Sequence, residues 1–152
     1  MNRIVGFYDR GVRLAASHIT EGLALLLLRI ALAGVFWRSG QTKVVEGSFL
    51  QIDPSQYDLF GSEFSGLPLD PVFAVPLTTY AEHLFPALLL LGLATRLSAG
   101  ALLVMTLVIQ IFVFPDAWWP VHSLWAAMAA ILIVRGGGLF SLDALVDRMR
   151  RK

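Results

Sequence analysis

Four long stretches of the chain are almost continuously apolar, and short polar segments separate them. They cover residues 22–43, 72–94, 97–114 and 118–134. A helix needs roughly 20 residues to cross a hydrocarbon core, within a range of about 17–25, so each stretch is a candidate crossing. The runs are too long, and lack the polar alternation, for strands of a barrel. The pattern predicts an all-α integral membrane protein. One domain over residues 1–152 holds a four-transmembrane-helix bundle, a structured outer loop at 44–71 and a tail at 135–152.

The first run carries an arginine, Arg29, and still favours insertion. Six Leu, one Ile, one Val and one Phe between residues 22 and 37 contribute about −0.3 to −0.6 kcal/mol each. Together they outweigh the roughly +2.5 to +3.5 kcal/mol of one central arginine. A cleaved leader would need a small-residue cleavage site after its apolar region. Here Gly34-Val35-Phe36-Trp37-Arg38 follows, so the segment is expected to be retained.

Basic residues set the orientation. Arg3, Arg10 and Arg13 precede the first run, Arg96 lies between the second and third, and Arg135, Arg148, Arg150, Arg151 and Lys152 follow the fourth. The 44–71 loop carries Glu46, Asp53, Asp58, Glu63 and Asp70 with no Lys or Arg. Both termini are therefore expected in the cytoplasm. Ile4, Phe7, Tyr8, Leu14, Ala15 and His18 near one end, and Leu142, Leu145, Val146 and Met149 near the other, fall on helical faces. Such segments suit surface helices on an anionic leaflet, and equally suit ordinary basic flanks. The outer loop predicts a two-turn helix over 54–60, started by Asp53-Pro54-Ser55-Gln56 and stopped by Gly61. Its aromatics Phe49, Tyr57, Phe60, Phe64 and Phe73 suit packing at the interface.

Composition narrows the function. Of 152 residues, 57% are hydrophobic and 15% charged, with a mean hydropathy of +0.70. A water-soluble domain this small cannot hide that much apolar side chain. Twelve Lys+Arg against 11 Asp+Glu leave a net charge of +1, which provides no basic field for nucleic acid. Zero cysteines exclude disulfides, thiolate metal sites, iron–sulfur clusters and thiol relays within this chain. Gly136-Gly137-Gly138 lacks the Lys-Ser/Thr of a phosphate loop and reads as a helix stop.

Ionisable residues inside a bundle are expensive, so each is a candidate for function or register. Arg29, Phe36, Gly40 and Lys43 share one face of the first helix. The second carries Glu82 and His83 near its midpoint, with Thr78 and Thr79 one turn earlier. Counting rise per residue puts Arg29 about 13 Å in from the cytoplasmic start and Glu82 about 15 Å in from the outer start. Antiparallel neighbours at like depth would pair as guanidinium and carboxylate, either as a register device or as a ligand or proton site. Pro86 removes the donor for the Glu82 carbonyl and predicts a kink there. Gln110, Trp119 and His122, with Lys43, suggest a polar path leading in from the outer face. His18, His83 and His122 lie at different depths without metal-ligand spacing, so no metal is expected. Ala126 and Ala130 suit close helix packing.

Three stretches of this chain resemble the DoxX family of small membrane proteins. They are LLLRIALAGVFWRSGQTKV with Arg29, Phe36, Gly40 and Lys43, YAEHLFPALLLLGLATRLSA with Glu82, Gly92, Thr95 and Arg96, and the terminal GGGLFSLDAL with Gly136, Gly138, Ser141, Leu142 and Asp143. Together they run from about residue 22 to 146. Where many relatives show Gly-Pro-Gly, this chain has three glycines. The resemblance implies a four-helix bundle in the bacterial cytoplasmic (inner) membrane and a loose tie to redox work. Relatives include subunits similar to those of thiosulfate:quinone oxidoreductase and partners of detoxifying enzymes.

Two functional readings follow. In the first the chain is an accessory subunit or organiser of a redox or stress-response complex rather than an independent enzyme. It has no intrinsic cofactor, and it touches quinone through Arg29, Glu82 and His83 while a protein partner supplies electrons. In the second it is a small carrier or binding protein for a solute, lipid or metal, with a homo-oligomer supplying what four helices lack. A purely structural scaffold is the third.

Overall fold

The computed structural model describes residues 12, 17–48 and 50–151. Its long helices are α1 (His18–Gln41), α3 (Pro71–Leu91), α4 (Thr95–Phe112) and α5 (Ser123–Arg135), with α2 (Ser55–Ser62) in the long loop and α6 (Leu142–Arg150) at the end. A 3₁₀ turn and one turn of π-helix, Trp118–His122, lead into α5, so the fourth crossing runs Pro115–Arg135. All four crossings are long and apolar enough to span a membrane. Most of the residues predicted for the N-terminal surface helix, and Phe49, lie outside the described residues.

The side chains face opposite ways to those of a water-soluble bundle. Leu23, Leu27, Leu84, Leu97, Val104, Ile111, Leu124 and Val134 point outward and are exposed, while Arg29, Thr79, Glu82, His83, Thr95, Ser98, Thr106 and His122 are buried inside. Lipid supplies the solvent for the first set, and the bundle must satisfy the second. Leu25, Leu32, Ala33 and Phe36 of α1 meet Leu89 of α3, Ala99 and Leu102 of α4, and Ala129 and Leu132 of α5 in one central core. Helix α1 packs mainly on α3, and α4 on α5.

The helices are not flush. A methyl group on Gly40, near the end of α1, would strike His83 Cε1 at 2.9 Å and Glu82 Cβ at 3.1 Å. The end of α1 is thus level with the middle of α3, and the first turns of α3 rise past it. The loop fills that space. Phe60 packs with Ala74 and Val75 of α3, supported by Ile52, Phe64 and Leu67. Phe64 makes edge-on contacts with Phe60 at 5.0 Å and Phe114 at 6.0 Å.

The loop helix differs from expectation at both ends. Asp53 Oδ1 accepts from the Ser55 amide at 2.9 Å and the Ser55 hydroxyl at 2.7 Å, so the helix starts at Ser55. Gln56 reaches Thr42 O rather than closing a capping box. Helix α2 runs through Gly61 to Ser62, because Phe60 and Phe64 must both reach the central face of α3. Phe73 of the aromatic set points away and is exposed. Helix α3 stays continuous through Pro76 and Pro86. The three glycines do stop α5, with Gly136 at φ +78°. Helix α6 is amphipathic as expected, with Leu142, Leu145 and Met149 exposed along one side.

Candidate functional site

Arg29 and Glu82 do not pair. The depth count started each helix from its own end, whereas α1 ends halfway along α3, so Arg29 falls opposite the last turn of α3. Leu89 lies about 10 Å along α3 from Glu82. Arg29 is fully buried and donates Nη1 to Leu89 O at 3.3 Å and Leu90 O at 3.2 Å, and Nη2 to Phe140 O at 2.5 Å. A guanidinium on the last carbonyls of a helix is a charged cap in the favourable sense of the dipole.

The rest of that end follows the same logic. Gly92 takes φ +67°, and a Cβ there would collide with Arg29 Nη1 and Ser141. Asp143 accepts from the amides of Ala94 at 2.8 Å and Thr95 at 2.9 Å, capping α4. Arg96 donates to Ile133 O at 2.9 Å, capping α5. Gly92, Arg96 and Asp143, together with Arg29, thus lock helix ends to one another. Arg135 pairs with Glu21 across the same end.

Glu82 has a different partner. Lys43 Nζ donates to Glu82 Oε2 at 2.6 Å, and also to Ser39 Oγ at 3.1 Å and Ser39 O at 3.4 Å. All three ammonium protons are used, and both charged groups are buried. Beside them His83 Nδ1 lies 2.7 Å from Thr79 O, which can only accept, so Nδ1 carries the proton. His83 Nε2 then accepts from Gln41 Nε2 at 2.9 Å. Trp37 packs edge-on against the imidazole at 5.1 Å. Gln41 is exposed, so a short hydrogen-bonded chain joins this centre to the surface where α1 ends.

The polar group at the start of the fourth crossing stands apart. His122 Nδ1 and Gln110 Oε1 are 2.8 Å apart, and Gln110 Nε2 donates to Pro115 O at 2.5 Å. This bond pattern holds the π-turn, a feature often found at functional sites. Trp119 is 82% exposed and joins no path inward. The His122 ring meets Trp125 at 5.0 Å, and Trp125 meets Phe36 of α1 at 5.6 Å, so aromatics rather than polar groups continue inward from His122. The sequence does not announce Ser39 and Gln41 as partners, nor the carbonyls of Leu89, Leu90 and Phe140. Ser39 stands four residues before Lys43 on one helical face, which is a usable signal. A carbonyl of residue 140 carries none.

A model of the DoxX family matches residues 24–115, which hold Arg29, Gly40, Lys43, Glu82, Gly92 and Arg96. A Haemophilus influenzae protein described as uncharacterized is 31% identical over 147 residues, covering 86% of this chain and 88% of its own. The chain belongs to the DoxX family. It is a multi-pass membrane protein. No solved structure matches this DoxX chain. The family match ends before α5, so the capping residues Gly136, Ser141 and Asp143 lie beyond it.

Proposed function

We propose that this DoxX protein is an accessory subunit or organiser of a redox or stress-response assembly in the bacterial cytoplasmic membrane, with its basic end in the cytoplasm. Its Lys43–Glu82–His83 centre meets the head group of a quinone. The observation that carries this reading is a buried acid–base pair beside an imidazole that ends on an exposed amide. Charge at mid-depth in a bundle is retained where ligands or protons pass. A quinone carbonyl beside Gln41 would take the amide N–H that His83 now accepts, and Lys43 could add a second donor by releasing its long bond to Ser39 O. Reduction of a quinone consumes two electrons and two protons. Glu82 and His83 are groups able to hold protons there, and a partner protein supplies the electrons. The basic flanks of the crossings support the orientation.

The test is gentle purification followed by extraction of bound lipids. Quinone enriched over the bulk membrane, and lost in Glu82→Gln, is the expected result. A quinone content equal to bulk membrane and unchanged in that variant overturns the reading. Proteins that co-purify identify the assembly, and a catalogue without any oxidoreductase or detoxifying enzyme counts against the accessory role.

A further inference from the structure

At the basic end of the bundle the ends of α4, α5 and α6 enclose a cleft of about 650 Å³. Arg96, Arg135, Arg150, Asp143 and Asp147 are its charged residues. Their commitments are unequal. Asp143 is spent on the Ala94 and Thr95 amides, and Arg135 on Glu21. Arg96 gives Nη1 to Ile133 O and keeps Nε and Nη2 toward Gly136. Arg150 makes no ion pair among the described residues, and Asp147 is the one carboxylate left in the cleft wall with no partner among them.

The cleft also holds unused donors. Helix α4 begins after Ala94, a non-glycine residue at φ +49° whose side chain supplies no cap. The Arg96 and Leu97 amides in its first turn therefore have no acceptor among the described residues. The Thr95 hydroxyl, fully buried in the cleft wall, has no partner either. Helix-start amides beside free guanidinium groups are the chemistry that takes a phosphate.

The rim says which phosphate. Leu93 and Leu97 line the cleft and are exposed at 38% and 68%. Leu142, Leu145 and Met149 of α6 are exposed as well, and Arg148, Arg150 and Arg151 stand at its end. A free phosphate has no use for the leucines, whereas a phospholipid covers them with its acyl chains.

We propose that this cleft binds the phosphate of an anionic phospholipid from the leaflet at the basic end of the bundle. Arg96, Arg150 and the first-turn amides of α4 hold the head group, and Leu93 and Leu97 hold the upper acyl chain. The site is independent of the Lys43–Glu82 centre, on the opposite half of the bundle.

The test is native mass spectrometry of the delipidated full chain, titrated with phosphatidylglycerol, phosphatidylcholine and glycerol 3-phosphate. Phosphatidylglycerol is expected to bind more tightly than phosphatidylcholine, and Arg150→Gln to weaken it about fivefold, the usual worth of one arginine near a membrane surface. Asp147→Asn is expected to tighten it. Arg150 bonds to nothing else among the described residues, so its variant folds as the parent does. Equal affinity for the two lipids, or a preference unmoved by both variants, overturns the proposal. Full competition by glycerol 3-phosphate at equal concentration also overturns it, because the acyl chain would then contribute nothing.

Discussion

Arg29 and Glu82 both lie buried in this bundle, at levels about 10 Å apart along α3, and the protein treats them differently. Arg29 is met by main-chain carbonyls of α3 and of the segment before α6. Glu82 is met by the side chain of Lys43, which follows the end of α1, beside an imidazole tied to an exposed glutamine. A carbonyl can neither change charge nor leave without unravelling its helix, so compensation of the first kind is architecture. Compensation by side chains can be exchanged for a ligand or a proton. The difference teaches that a buried charge in a membrane protein should be judged by its partner's chemistry and not by depth alone.

The strongest way to break the comparison is to remove Arg29. Arg29→Ala leaves the Leu90 and Phe140 carbonyls without a donor, while Leu89 O keeps the Gly92 amide; each lost partner costs about 1–3 kcal/mol when buried, and the charge facing the last turn of α3 is removed. The expected outcome is loss of folded protein in detergent, read by thermal unfolding. Gly92→Ala should approach the same phenotype, because its Cβ meets both the guanidinium and Ser141 at a left-handed backbone position. An Arg29→Ala protein with an unshifted midpoint would show that the carbonyls do not need it.

The Lys43–Glu82 pair should behave in the opposite way. Lys43→Met alone strands a buried carboxylate and is expected to destabilise by about 3 kcal/mol, near the low end for a broken buried pair. Lys43→Met with Glu82→Leu should recover to within about 1 kcal/mol of the parent, yet lose the bound quinone. The double variant separates the two properties. Recovery of stability with retained binding would make the pair a packing device only.

A finer cut falls on Gln41. Gln41→Leu removes the donor to His83 Nε2 and should lower stability by about 1 kcal/mol. It should also abolish quinone enrichment, because the surface link is gone. Unchanged enrichment would show that the imidazole's exposed neighbour is incidental.

The two regions were also unequally legible. Hydrophobic length is a local property, so all four crossings could be read from sequence to within a few residues. Stagger is not local. Whether α1 ends level with the end of α3 or with its middle depends on Phe60, Phe64 and Ile52 filling the space beside the first turns of α3, and no single residue announces that. The Arg29–Glu82 expectation failed on that point. Lys43 was seen on the same face as Gly40, and Gly40's approach to Glu82 makes their pairing follow once the stagger is known. The partners of Arg29 were invisible, since main-chain acceptors have no residue identity. Gly92, Arg96 and Asp143 could be picked out as a motif, though its purpose, capping of one helix by another, needed coordinates.

A loop carboxylate outside the crossings, Asp53, gives a reference for the buried charges. Asp53 is held below the usual carboxylate range by the Ser55 hydroxyl and then by the Ser55 amide. Its ionised form is therefore favoured by the folded loop. That contribution is present above the unfolded group's ordinary value and fades as pH falls through the lowered folded value. Because Asp53 stands in a loop outside the crossings and is only partly covered, screening keeps the effect small, and the global midpoint should not move. Local opening is the sensitive readout. Acidification through the lowered value should increase hydrogen exchange at the Ser55 and Gln56 amides beyond the intrinsic pH dependence, and Asp53→Ala should remove that step. A step that survives Asp53→Ala would assign the loop's acid response to another group, with Asp58 and Glu63 on the same segment the next to substitute.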